Sequence, residues 1–281
     1  MLFPENIGKH LSIDEVSLSK GELYTFVTNK RGKGKKGTLV ASIKGTRSSD
    51  LIKVLEKLPL TLCREVEEVT LDMAKNIELA TKIAFPESTL VTDRFHVVKL
   101  VTEALQHIRI QLRWKELDKE NKAILEAKKQ GLKYKSKQLS NGDTPKQLLA
   151  RSRYIIAKKP HQWTENQSKR AKLLFKKYPQ LEVAYKHTQE FRNIYDLSDK
   201  LIAKERFEKW IENTFENKLE TFYTSANTLK ANFTNILNFF NNRNTNANAE
   251  SFNSKIKLFR ANLRGVTDTT FFLFRLHKLF A

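Results

Sequence analysis

Three acidic residues stand where they could share a divalent cation: Asp14, Asp72 and Glu250. Asp14 lies near the end of an alternating run, Leu11-Ser-Ile-Asp-Glu-Val, and Asp72 ends a second run, Glu68-Val-Thr-Leu. Glu250 follows an Asn-rich stretch, residues 241–248, where a helix is expected to begin. Carboxylate oxygens suit hard cations such as Mg²⁺, with Mn²⁺ as a substitute. Two such ions, about 3.5–4 Å apart and bridged by carboxylates, neutralise the attacking and leaving oxygens of a phosphodiester reaction. A plainer account competes with this one, because 31 acids in one chain put some at strand ends by number alone. Asp after a strand also forms turns or caps helices. Glu15, beside Asp14, points to the opposite face of the same strand, so only one of the pair can face a site.

A further constellation is Asp93-Arg-Phe-His96, an acid and an imidazole three residues apart at a strand-to-helix junction. It reads either as a capped helix with a packed histidine or as a competitor to Asp72 for the second metal-ligand position, with Asp72 ahead. His10, His107, His161, His187 and His277 show no metal-ligand spacing and read as surface or packing residues. No phosphate-binding Gly-Lys loop and no nucleophile elbow is present. The Gly32, Gly34 and Gly37 cluster among five basic residues reads as a lysine-rich hairpin loop, solvated or laid against a DNA backbone.

The elements that must position these residues change character along the chain. Up to residue 96 the pattern is βββαβαβ: strands at Leu11–Val16, Glu22–Thr28, Thr38–Lys44, Glu68–Leu71 and Thr89–Thr92, with helices at Ser48–Lys57 and Ala74–Phe85. The first two connections suit an antiparallel meander. In a sheet of the ribonuclease H type the first and fourth strands lie side by side and parallel, which would bring Asp14 and Asp72 together. From Arg94 onward the spacing is helical, with a long first helix, a loop over residues 131–145 and a capping box at Thr164-Glu-Asn-Gln167. Later helices are expected at Leu181–Asp196, Lys200–Asn217 and Lys218–Phe240.

Charge and composition narrow the class of partner. The chain has 281 residues, with 51 Lys and Arg against 31 Asp and Glu, a net charge of +20 that points to nucleic acid ahead of an anionic membrane surface. Between Lys128 and Lys177 there are 15 basic residues and two acids, Asp143 and Glu165. The single cysteine, Cys63, excludes an internal disulfide framework or a cysteine-based zinc cluster within this chain. No apolar run is long enough to span a bilayer and no signal peptide is evident, so a cytoplasmic setting is expected. Trp114, Trp163 and Trp210 read as helix-packing residues before base-stacking ones.

Residues 11–281 resemble the DDE transposases of bacterial insertion sequences, specifically the ISL-three family. The resemblance rests on Ser12-Ile-Asp-Glu15, Lys20-Gly-Glu-Leu-Tyr-Thr25, Val69-Thr-Leu-Asp-Met73 and Phe85-Pro86 leading into Val91-Thr-Asp-Arg-Phe-His-Val-Val-Lys-Leu100. Its most specific string is Thr245-Asn-Ala-Asn-Ala-Glu-Ser-Phe-Asn-Ser-Lys-Ile-Lys257. It implies an α/β ribonuclease H-like core, interrupted by an all-helical insertion: residues 1–96 and 241–281 would form the core and 97–240 a basic insertion. Asp14, Asp72 and Glu250 would be the metal-binding acids, with Asp93 and His96 beside them in a supporting or alternative role. The implied activity is Mg²⁺-dependent cleavage at element ends and transfer of the freed 3′-hydroxyl to target DNA. Lys255, Lys257, Arg260 and Arg264 would contact DNA phosphates, and because two DNA ends must be synapsed, a dimer on DNA is expected.

The cysteine-rich, helix-turn-helix region by which relatives read element ends has no counterpart in these residues, so end recognition is expected from a separate protein or a further segment. Ser251 stands where many relatives have Gly. Two other functions fit the same residues: a structure-specific nuclease or resolvase of the same fold, and a catalytically silent DNA-binding remnant. Joining of a 3′-hydroxyl end separates the first from a transposase, and metal-dependent turnover separates the second.

Overall fold

The computed structural model describes residues 1–18, 21–245, 247–263 and 268–281. Ser19 and Lys20 of the first connection, Asn246 of the Asn-rich stretch and the expected phosphate contact Arg264 lie outside the described residues. The chain divides into two compact units, one formed by residues 1–97 and 231–281, the other by residues 98–230.

The first unit begins with β1 (His10–Ser17), β2 (Leu23–Asn29) and β3 (Leu39–Lys44). Then come α1 (Ser48–Leu55), α2 (Leu60–Arg64), β4 (Glu68–Leu71), α3 (Lys75–Ala84) and β5 (Thr89–Thr92). The five strands form one mixed sheet in the order β3-β2-β1-β4-β5, antiparallel across β3, β2 and β1 and parallel from β1 through β4 to β5. The strands expected from alternation are present within a residue or so at each end. The short helix α2 just after Pro59 is absent from the sequence reading, where that proline served only as a stop.

The helical unit takes over along α4 (Arg94–Lys129), which is followed by α5 (Pro145–Arg151), α6 (Glu165–Lys177), α7 (Pro179–Ile194), α8 (Lys200–Glu216) and α9 (Tyr223–Ala231). The capping box at Thr164 is formed as expected, with Thr164 Oγ1 accepting from Gln167 N and the Gln167 side chain accepting from Thr164 N. Trp163 and Trp210 are packed: their indole N–H groups donate to the carbonyls of Ile155 and His187, and Trp163 stacks on Tyr185. Trp114 is exposed.

The expected single helix over Lys218–Phe240 is broken. Lys218 takes a left-handed conformation and Asn232 a non-helical one, so the segment divides into a 3₁₀ turn at Glu220–Phe222, α9, α10 (Phe233–Leu237) and α11 (Phe239–Asn242). Asn competes for backbone hydrogen bonds and favours such interruptions. The last two helices, α12 (Ala247–Asn262) and α13 (Thr269–Phe280), belong to the sheet unit. Asp268 caps α13 through the Thr270 and Phe271 amides.

The sheet of the first unit is covered on both faces. Leu11, Ile13, Val69 and Leu71 pack with Leu51 and Leu55 of α1 and Ile77, Ala80 and Ala84 of α3. Val16, Tyr24, Phe26 and Leu39 pack on the other face with Phe252 and Ile256 of α12 and Phe272 and Leu276 of α13. Strand alternation therefore assigns each β1 residue to a face: Leu11 and Ile13 go to α1 and α3, and Val16, with Asp14 two residues before it, goes to α12.

Candidate functional site

Sheet register brings three aspartates abreast. His10, Leu11 and Ser12 of β1 pair with Glu68, Val69 and Thr70 of β4, so Asp14 falls in register with Asp72, one residue past the end of β4. Leu71 of β4 pairs with Thr92 of β5, which sets Asp93, one residue past β5, beside Asp72. The amide of Asp93 donates to the Leu71 carbonyl at 2.9 Å, extending the pairing to the strand ends. Residues in register on neighbouring strands share a face.

Each carboxylate has its own local anchor. Asp14 Oδ1 accepts from the Glu15 amide at 2.8 Å, and Asp14 Oδ2 accepts from Asn253 Nδ2 on α12 at 2.6 Å. Asp72 Oδ1 accepts from the Ala74 amide at 2.9 Å, a turn that starts the connection into α3. Asp93 is buried; its Oδ1 accepts from the Phe95 amide at 3.4 Å at the start of α4, and its Oδ2 lies 3.3 Å from His96 Nδ1. Glu250 enters from the first turn of α12, and its Oε1 is buried without a hydrogen-bond partner.

The electrostatics tie these groups into one cluster. Burial raises the pKa of Asp14, and Asp72 and Asp93 push it further up, against the Glu15 amide and His96, which lower it. Burial also raises Glu250, with Asp93 and Asp14 adding to the effect and His96 opposing it. Glu15 is raised by burial and by Asp72 and Asp14. His96 is raised, chiefly by its hydrogen bond to Asp93, with Asp14 and Asp72 contributing. Carboxylates that oppose one another's ionisation in a half-buried site form an arrangement that a cation relieves. The donors are hard oxygens, and Glu250 Oε1 is buried without a hydrogen-bond partner, which matches the ligand preference of Mg²⁺ or Mn²⁺. Among the described residues, no three His, Cys, Asp or Glu side chains are arranged to hold a metal ion.

The expected phosphate contacts on α12 differ in their surroundings. The Lys255 ammonium donates to the Gly34 carbonyl at 2.9 Å, which ties the helix to the lysine-rich hairpin after β2. Gly34 has a φ of +69°, and a Cβ there would meet Lys255 Nζ at 2.9 Å, so glycine suits both the turn and the close approach. The Arg260 guanidinium lies 5.1 Å from the ring centroid of Phe272, while Lys257 is exposed.

Two features went unassigned in the sequence reading. Asn253 stands one helical turn after Glu250, a spacing that puts both on one face of α12, and that spacing was the available signal. Lys30 and Glu68 form a buried ion pair at 3.0 Å; the Lys30 ammonium also donates to Thr70 Oγ1, and Asn242 donates to Glu68 Oε2 at 3.1 Å. No local pattern marks that pair.

The model of the ISL-three transposase family matches residues 11–276. The chain belongs to the ISL-three family of DDE transposases. Two curated relatives, the transposases for insertion sequence element IS1557 from Mycobacterium tuberculosis strains CDC 1551 / Oshkosh and ATCC 25618 / H37Rv, are each 25% identical to it over 253 residues. That similarity covers 89% of this chain and 55% of each relative, so the chain spans about half the length of the curated relatives it matches. No solved structure matches the chain significantly. Among the described residues, no helix of this transposase-family chain is long and apolar enough to cross a membrane.

Proposed function

We propose that the chain carries the catalytic centre of a DNA transposase on a ribonuclease H-like core, with Asp14, Asp72 and Glu250 as its metal-holding acids. The observation that carries this reading is the register that sets Asp14 beside Asp72, together with the approach of Glu250 from α12 on the same face. When bound, Mg²⁺ would neutralise the negative charge that builds up on a phosphodiester under in-line attack. The chain's own contribution is to hold the carboxylates ready. The Glu15 amide orients Asp14, the turn to Ala74 orients Asp72, and packing of Phe252 and Ile256 on the sheet fixes the helix that carries Glu250. His96, paired with Asp93, retains a proton to higher pH than a free imidazole and offsets part of the acids' repulsion. Asp93 is the alternative second ligand.

The reaction begins with attack by water on the phosphodiester at an element end, which releases a 3′-hydroxyl. That hydroxyl then attacks a phosphodiester of the target duplex in line, forming a new phosphorus–oxygen bond as the bond to the target strand's own 3′ oxygen breaks and that oxygen leaves as a 3′-hydroxyl. Lys257 and the exposed lysines of the 128–177 stretch supply phosphate contacts.

The test is cleavage of plasmid DNA and joining of a 3′-hydroxyl oligonucleotide to it, each with Mg²⁺ or Mn²⁺. Asp14→Asn and Glu250→Gln are each expected to lower both reactions about 100-fold or more. Cleavage without joining would make the protein a nuclease. Full activity in either variant would overturn the acid assignment.

A further inference from the structure

The acid cluster holds a neutral side chain with no place in the reading above beyond a hydrogen bond. Asn253 is 9% exposed, and its Nδ2 lies 2.6 Å from Asp14 Oδ2. Because the Glu15 amide holds Asp14 Oδ1 at 2.8 Å, each oxygen of this one carboxylate has its own donor. An ionised carboxylate has about four acceptor sites, so two such bonds leave a lone pair free on each oxygen. The donor has to be the amide NH₂, because the amide oxygen would face a second acceptor. Asp14 borders Asp72 and Asp93, both carboxylates, and without a clamp repulsion would turn its oxygens away from the shared face.

The clamp sits on the same helix as Glu250. Residues three apart in a helix share a face, so one rigid segment carries both the third acid and the group that fixes the first. That segment is itself locked: Phe252 packs edge-on to Phe26, the β2 residue paired with Asp14, at 6.2 Å between centroids. Phe252 and Ile256 are fully buried.

We propose that Asn253 is a positioning residue of the acid cluster, whose side-chain amide sets the orientation of Asp14 relative to Glu250 and so prepares both carboxylates for a divalent cation. The proposal rests on the reading of Asp14 and Glu250 as metal-holding acids. In this role Asn253 acts through Asp14. Groups that orient metal ligands in this way typically account for 10- to 100-fold in metal affinity.

The experiment measures Mn²⁺ binding to the full chain directly, by the loss of the free-ion electron paramagnetic resonance signal, alongside thermal melting. Asn253→Ala removes the donor; Asn253→Leu removes it while keeping most of the side-chain volume, and serves if the alanine variant does not fold. Either folded variant is expected to bind Mn²⁺ about 10- to 100-fold more weakly than the wild type, with its melting temperature nearly unchanged. In the cleavage assay the Mn²⁺ concentration for half-maximal rate rises by the same factor, and the maximal rate largely recovers at saturating Mn²⁺. Wild-type Mn²⁺ affinity in a folded Asn253 variant overturns the proposal and leaves the acid assignment standing. Failure of the wild type to bind Mn²⁺, or unchanged affinity in Glu250→Gln, overturns the acid assignment and this proposal with it.

Discussion

The two units treat charge in opposite ways. In the sheet unit, carboxylates are gathered on one half-buried face, where Asp14 and Glu250 are each held above their ordinary pKa by burial and by their neighbours. The helical unit spreads most of its cations over exposed positions and buries an acid among them. Asp143 is fully buried, and Arg151 and Arg170 both pair with it. Lys146, Lys159 and Lys169 of the same basic stretch pair with Glu120, Asp196 and Glu165. Crowded acids are an electrostatic cost that a binding cation turns into affinity, whereas dispersed exposed cations cost the fold little and stay available to a polyanion. A net charge of +20 therefore says nothing about the site itself, which is locally acidic.

The largest expected contrast in stability concerns the buried ion pairs. Glu68→Ala leaves the Lys30 ammonium, whose side chain is only 10% exposed, without its carboxylate, and is expected to cost about 3–5 kcal/mol. Asp143→Ala also removes a buried carboxylate, but the Arg151 side chain is 56% exposed and water can take over its hydrogen bonds, so a cost of about 1–3 kcal/mol is expected. Urea unfolding, followed by probes in each unit, measures both. Equal losses would mean that burial of the partner cation does not govern these pairs.

The same contrast shows which parts of the molecule were legible in the sequence. Strand alternation and strand ends placed Asp14, Asp72 and Asp93 at comparable positions, because burial on a sheet writes a period of two into the residues. Glu250 was found through its string, since the helix that carries it begins in an Asn-rich stretch with little periodicity. Apolar spacing persists across segment 218–240 and predicts one helix, yet backbone conformation at Lys218 and Asn232 breaks it. The links from Lys255 to Gly34, Lys30 to Glu68 and Asn253 to Asp14 join residues far apart in the chain, and no local pattern records such pairings. For Lys255 and Arg260 the structure adds interactions within the chain that charge counting could not show.

Each unit also buries one histidine in neutral form, which gives the comparison a pH dependence. In the helical unit His187 accepts or donates to Thr214 Oγ1 at 2.8 Å and stacks on Trp210, with the surface carboxylate of Glu190 3.9 Å from its Nδ1; burial lowers its pKa to about 4. In the sheet unit His277 pairs with Ser42 Oγ at 2.8 Å and lies against Phe3, and burial and the terminal ammonium lower its pKa to about 4. Below about pH 6.5 the unfolded chain takes up protons at these sites and the folded chain does not. Stability is therefore present above that pH and declines as pH falls toward 4, by at most about 3 kcal/mol per histidine at roughly 1.4 kcal/mol per pH unit. Urea midpoints between pH 4 and 7.5 should show the decline, and His187→Gln should flatten it in the helical unit only. Flattening in both units would mean that the units do not unfold independently.

The smallest effect on stability is expected where the effect on binding is most specific. Lys133, Lys135 and Lys137 are exposed in the loop between α4 and α5, and replacing all three with Ala should move the melting temperature little, since exposed charges contribute well under about 1 kcal/mol each. If the loop lies against DNA phosphates, binding through each of these lysines releases about one counterion, so each lysine replaced makes the slope of log affinity against log salt shallower by about 0.9. A slope lowered by about two to three with an unchanged melting temperature would assign these lysines to DNA. An unchanged slope would make them a solvated face, and would move the search for the DNA track to the exposed residues of α12 and the lysine-rich hairpin. In either case the sheet unit's carboxylate variants should lose cleavage without changing the salt slope, because removing a carboxylate takes away no cation that neutralises a phosphate.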